Sequence, residues 1–198
     1  MGEEPNMPSY SERVAPLLTL GDPSNTGTSW KDYPAMGLDE RDIPELIRMA
    51  TDEVLNNAYS DQKEVWAPLH AWRALGQLRA EAAIEPLMGL FNRVDDGIDD
   101  WLNGDLPISF GLIGPAAIPP VSAYMQNVSH GMWARALAGR CLRKIAEKHA
   151  ASRDVCIKAL TDQVERFAEN SIELNGLLIC ELVDLGAVEA ALAMERAF

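Results

Sequence analysis

The sequence has an acidic run, VDDGIDDWLNGD, with Asp95, Asp96, Asp99, Asp100 and Asp105 close together. Hard divalent cations take several oxygen ligands, so such a run offers Ca²⁺ or Mg²⁺ a place to bind. The D-x-D-x-D-G spacing and the distal Glu of an EF-hand are missing. The competing reading is an inter-helix loop whose aspartates cap helix N-termini, where the dipole favours negative charge. No metal is assigned, and Asp95, Asp96, Asp99 and Asp100 stand as weak candidates.

A second group is Trp66, His70, Trp72 and Arg73. On one helix Trp66 and His70 are i, i+4 neighbours, Arg73 lies nearly on the same face, and Trp72 lies off it. Tryptophan, arginine and a carboxylate can line a ligand groove through stacking and ion pairing. The same residues equally suit core packing with His70 as a satisfied polar group.

Catalytic patterns are missing. His70, His130 and His149 are followed by Ala, Gly and Ala, which removes the repeated His-Glu pairs of an iron site. There is no G-x-S-x-G, and the Cys–His pair that shares one expected helix is Cys141 and His149, two turns apart. No catalytic residue and no cofactor is assigned.

Charge is uneven. Residues 131–158 hold Arg135, Arg140, Arg143, Lys144, Lys148, Arg153 and Lys158 against Glu147 and Asp154. Arg140, Arg143, Lys144 and Glu147 recur at three to four residues and form one helical stripe. Such a band could dock an acidic partner, or could simply be a solvated face. The formal net charge of −13 argues against nucleic acid, whose phosphates need clustered cations.

The elements that would position these groups are helical. Apolar residues recur at helical spacing in 43–54, 65–78 and 84–91, and helices are expected near 132–149, 151–169, 172–185 and 187–197, with a short one opened by Pro107. No segment alternates with period two, so the fold class is all-α. The AAI-x-PL of Ala82 to Leu87 returns 34 residues on as the AAI-x-PV of Ala116 to Val121. A third copy follows with Ala150 and Ala151, placing Val155 at the Leu87 position, and a fourth begins near Ala187. Leu75-Gly76, Ile113-Gly114, Ile145-Ala146 and Leu185-Gly186 precede these copies. Such a period signals stacked helix pairs, since one pair cannot bury its apolar face alone. The expected architecture is a short α-solenoid of about four pairs over residues 38–198, with an N-terminal arm, residues 1–37, as its cap. Trp30, Tyr33 and Met36 would pin that arm.

The three cysteines, Cys141, Cys156 and Cys180, each fall in a predicted helix without CxxC spacing, as expected of buried reduced thiols. No apolar run reaches the roughly 18 residues of a membrane span. The polar N-terminus lacks a signal-peptide core, so the expected location is cytoplasmic.

The pattern of Ala74, Leu75, Gly76, Ala82, Ala83, Ile84 and Leu87, then Ile113, Gly114, Ala116, Ala117 and Ile118, then Leu185, Gly186 and Ala187 resembles HEAT-like repeat proteins, in particular the short repeats of the phycobilin-lyase type. WAPLHAWRALGQLRAEAAIEPL and IGPAAI also look like a bacterial HEAT-like family whose longer members carry a Cys-rich metal-binding motif, which this sequence lacks. The resemblance spans Tyr10 to the end. It implies the solenoid fold and carries over no reaction.

The leading functional expectation is a non-enzymatic protein-interaction or scaffold module. Its inner layer is the helices beginning near Val65, Asp99, Met132 and Ile172, with Trp101, Trp133, Arg135 and Arg140 near the centre. The alternative is a small-ligand-binding or lyase-like protein using Trp66, His70, Arg73 and the aspartate loop. The expected partner is a protein, with no nucleic acid and no membrane. Ala187, Ala190, Ala191, Leu192 and Phe198 leave the last helix apolar, so a homodimer through it is also expected.

Overall fold

The computed structural model describes residues 8–23, 30–59, 61–97 and 100–198. All regular structure among them is helical. The α-helices are α1 (Ile43–Ala50), α2 (Glu53–Asn56), α3 (Ala67–Gln77), α4 (Ile84–Met88), α5 (Asp100–Ile113), α6 (Ile118–Gln126), α7 (Met132–Lys148), α8 (Arg153–Val164), α9 (Ile172–Asp184) and α10 (Ala191–Ala197). No single helix among the described residues is long and apolar enough to cross a membrane.

A local conformation recurs four times. Each time a helix ends, a short 3-10 turn follows, and the next helix begins at once. The turns are Glu81–Ala83, Pro115–Ala117, Ala150–Ser152 and Val188–Ala190. In each, the carbonyl just before the turn accepts from the amide at its end: Ala80 from Ala83, Gly114 from Ala117, His149 from Ser152, and Ala187 from Ala190. The junction residues Ala80, Gly114, His149 and Ala187 are therefore spaced by 34, 35 and 38 residues. The second step, which leads to the third turn, is one residue longer than the alanine pattern suggests. Cys156, fully buried, takes the place of Leu87 and Val121, and Val155 turns outward.

The small-residue pairs also differ in place. Gly76 lies inside α3, whereas Gly114 and Gly186 sit at the turn with positive φ. Two junctions close with the same Schellman bonds. Ala80 N–H donates to Leu75 O and Arg79 N–H to Gly76 O, while Ala187 N–H donates to Leu182 O and Gly186 N–H to Val183 O. The left-handed residue is Gly186 in one and Arg79 (φ 52°) in the other.

The chain divides into two compact units, residues 1–87 and 88–198. In the first, α1 packs on α3, burying Leu46, Met49 and Ala50 with Leu69, Trp72 and Leu75. Trp72 Nε1 donates to Ala50 O at the end of α1 (3.2 Å), satisfying a carbonyl that the helix itself cannot. The N-terminal segment is tied to this pair. Arg13 bridges Asp39 and Asp42, Ser11 bonds the Glu45 carboxylate, Tyr10 donates to Asp52, and Arg48 stacks on Tyr10. Residues 15–19 form a 3-10 turn, and only Leu17 of that turn is buried.

In the second unit α7 is the hub, packed by α5, α6, α8 and α9. Two glycines allow close approach. A Cβ on Gly111 would lie 2.9 Å from Lys144 O, and one on Gly139 would lie 2.6 Å from Leu178 Cδ2. Phe91 packs against Phe110 and Tyr124 in the same core. α5 starts well before Pro107, which lies inside it. The helix survives because its orphaned carbonyl finds another donor. Pro107 has no N–H for Asn103 O, and the Arg140 guanidinium donates to it instead (3.3 Å).

Candidate functional site

The tryptophan, histidine and arginine group near Trp66 is closed. Trp66 ends the 3-10 turn Lys63–Trp66 and is half-buried. His70, on α3, is fully buried, with Tyr33 Oη 2.6 Å from Nδ1 and Gly21 O 2.9 Å from Nε2. A carbonyl only accepts, so Nε2 carries the proton and Nδ1 accepts from the tyrosine hydroxyl in the neutral ring. Arg73 is buried under the ring of Trp30 at 4.9 Å. Gln77 receives Tyr33 N–H and donates to Lys31 O. These residues fasten the segment around 30–33 onto α3. Tyr33 is buried as expected of a pin, whereas Met36 is exposed.

The basic stripe on α7 is neutralised from within. Glu181, on α9 and 5% exposed, receives Arg140 Nε (3.1 Å) and Arg143 Nε. Glu147 takes Arg143 and Lys144. The Glu147 carboxyl titrates below its usual range, since these two cations outweigh its burial. Arg153 pairs with Glu189, and Lys158 with Asp162. Arg135 is buried, donating to Met125 O at the end of α6 (2.7 Å) and to Asn170 (3.1 Å), and burial pushes its guanidinium down. Arg135, Arg140 and Arg143 therefore hold helices together.

The acidic run resolves in part into a helix cap. Asp95 Oδ1 accepts the Trp133 N–H (2.9 Å) at the first turn of α7. A Cβ on Gly131 would lie 2.1 Å from Asp95 Oδ2, so only glycine leaves room for that approach. Asp96 is exposed, and Asp105 is buried in α5. Asp99 and the side chain of Asp100 lie outside the described residues. Among the described residues no three His, Cys, Asp or Glu side chains gather as a metal site.

Two predicted residues remain on the surface. Trp101 is 42% exposed at the start of α5, and Trp133 is 49% exposed at the start of α7. Trp133 shares its face of α7 with Arg140, Lys144 and Glu147. Trp101 shares its face of α5 with Gly104 and Ile108, neither of them buried. Sequence reasoning missed two neighbours of this corner. His130 stacks on Tyr124 (3.7 Å, 5° between planes), and Tyr124 donates to Asn92 (2.7 Å). Burial, with the Asp95 charge adding to it, raises the Tyr124 hydroxyl to about 12. The spacing of Asp95, Tyr124, His130 and Trp133 carries no periodic signal, because a loop and a turn bring them together.

The cysteines divide. Cys141 and Cys156 are buried, and burial raises both thiols, the second to about 11. Cys180, expected to be buried, is exposed on α9. Exposed Val183 and Phe198 line a groove between α9 and α10 with Ile179 and Met194, and Leu192 of α10 is exposed beside it in sequence.

Comparison of the chain with protein-family models, curated proteins and solved structures finds no match.

Proposed function

We propose that this protein is a non-enzymatic interaction module built from HEAT-like repeats, and that it docks a protein partner on the solvent face of α5 and α7. The observation that carries this reading is the placement of Trp101 and Trp133. Phe91, Phe110 and Leu102 of this unit are fully buried, whereas these two tryptophans stand half in water at the starts of α5 and α7, and Ile172 is exposed at the start of α9. Tryptophan is the residue that most often anchors an interface, since it covers a large area with few rotors to freeze. The four recurring turns support a repeat architecture, in which first helices of successive pairs share one face. The ligand reading has less support, because His70 and Arg73 are buried and engaged.

A photo-crosslinking residue placed at 101 or 133, with one at exposed Tyr59 as control, tests the proposal in the native cell. Defined protein adducts from 101 and 133 and none from 59 are expected. Adducts no stronger at 101 and 133 than at 59 would remove the assignment of this face. The apolar face of α9 and α10 supports self-association as a second contact. Sedimentation should then show a concentration-dependent dimer that Leu192→Ser weakens, and a monomer at every concentration would exclude it.

A further inference from the structure

We infer that the partner presents a cationic segment, lysine or arginine set among apolar residues, and that it is read by the corner formed by Trp101, Trp133 and Asp95. This inference rests on the docking face proposed above and adds its chemistry.

The first ground is register. α5, α7 and α9 run parallel. Along α7, Arg140 and then Lys144 meet Asn103 and then Gly111 of α5, while Arg135, Gly139 and Arg143 meet Asn170, Leu178 and Glu181 in order. Taking the contact of Gly111 with Lys144 as origin, Trp101 and Trp133 lie back along their helices by about 15 and 17 Å at 1.5 Å per residue. The two indoles therefore stand at one level on neighbouring helices. Ile172, 87% exposed at the start of α9, continues the row, since it precedes Leu178 by as many residues as Trp133 precedes Gly139.

The second ground is charge. Cations at the other end of the face are already answered by Glu181 and Glu147. At the tryptophan end the exposed groups are mainly carboxylates. Asp95 touches the Trp133 backbone, Asp96 follows it, and Glu169 and Glu173 flank the start of α9. Arg166 lies there too, paired with Glu169 at 2.8 Å, and Arg135 is buried. Part of the Asp95 charge meets the positive end of α7. Indole faces beside carboxylates attract ammonium and guanidinium groups through the ring quadrupole and the opposite charge together. An acidic segment would meet repulsion at the same place.

The test uses the full chain, ¹⁵N-labelled on its indoles, with the Trp101 and Trp133 signals assigned from Trp→Phe variants. Three synthetic peptides of one apolar pattern are titrated, their polar positions filled with Arg/Lys, with Glu or with Ser. The cationic peptide should shift both indoles saturably. Asp95→Asn keeps an oxygen to cap α7 and removes the charge, so it should weaken binding about 3- to 10-fold, as expected for one partly screened charge. Circular dichroism should show Asp95→Asn unaltered in helix content. Shifts of these indoles by the Glu or Ser peptide, with none by the cationic one, would overturn the cationic inference and leave the docking face standing. If the cationic peptide bound with Trp101 and Trp133 unmoved, the inference would fail at this corner. Shifts that depend on protein concentration without peptide would assign the corner to a second copy and overturn it as well. If no peptide moved these indoles and crosslinks at 101 and 133 were also missing, both readings would fall together.

Discussion

At the residue scale, three residues do work that their type alone does not announce. Gly131 is required by a carboxylate, since any Cβ there would lie against Asp95. Gly131→Ala should therefore displace the α7 cap and lower stability by about 1–2 kcal/mol, measured by urea unfolding. An unchanged midpoint would mean that the Asp95 bond to Trp133 contributes nothing. Arg79 holds a left-handed φ of 52° at a helix end where the fourth turn uses Gly186. Glycine adopts that conformation without a Cβ clash, so Arg79→Gly should raise stability by about 0.5–1 kcal/mol. A loss would show that the Arg79 side chain makes a compensating contact. Glu181 joins Arg140 and Arg143 in a buried ion cluster. Glu181→Ala leaves two guanidinium groups without that partner and should cost about 3 kcal/mol. A cost below about 1 kcal/mol, within the range of surface pairs, would show the cluster to be solvated.

At the element scale, much of the chain was legible and its register was not. The all-helical class follows from apolar spacing, and α7 and α9 lie close to the ranges that spacing predicts. The helix around Pro107 was misplaced. The proline reads as a start signal, and the donor that rescues Asn103 O comes from Arg140, far along the chain. The third turn was set one residue early because Ala150 and Ala151 match the pattern by type, while packing selects Cys156 over Val155. Trp101 and Trp133 were legible as candidates. Their neighbours His130 and Tyr124 were not, since stacking across a turn leaves no periodic trace.

The clamp between the N-terminal segment and α1 is also an element-scale device with a pH dependence. Asp42 is held below the ordinary carboxylate range chiefly by Arg13, Asp39 by Arg41, and Glu45 by the Ser11 hydroxyl. Their folded values lie below the unfolded ones, so their contribution is complete above the unfolded carboxylate range. It is lost as pH falls through the folded values, below about pH 4. Methyl NMR signals of Val14 and Leu17 should lose their native positions in that acid window before those of Leu137 and Leu142. Simultaneous loss of both sets would show that the clamp is not separately acid-labile.

At the scale of the whole molecule, an acidic chain has Arg140, Arg143 and Lys144 of its α7 stripe paired with its own carboxylates and keeps Trp101 and Trp133 half in water. With a net charge of −13 and the α7 stripe neutralised, the protein should pass through immobilised DNA at low salt without retention. Salt-dependent retention would reveal a cationic surface that the ion pairs of the α7 stripe do not neutralise. The docking face itself is tested most directly by hydroxyl-radical footprinting of the tagged protein, purified and in its native extract. Trp101 and Trp133 should be oxidised less in the extract, while Met36 and Tyr59, exposed in the other unit, should be oxidised equally in both. Equal oxidation of Trp101 and Trp133 in the two states, or protection confined to other residues, would contradict the assignment of this face to a partner.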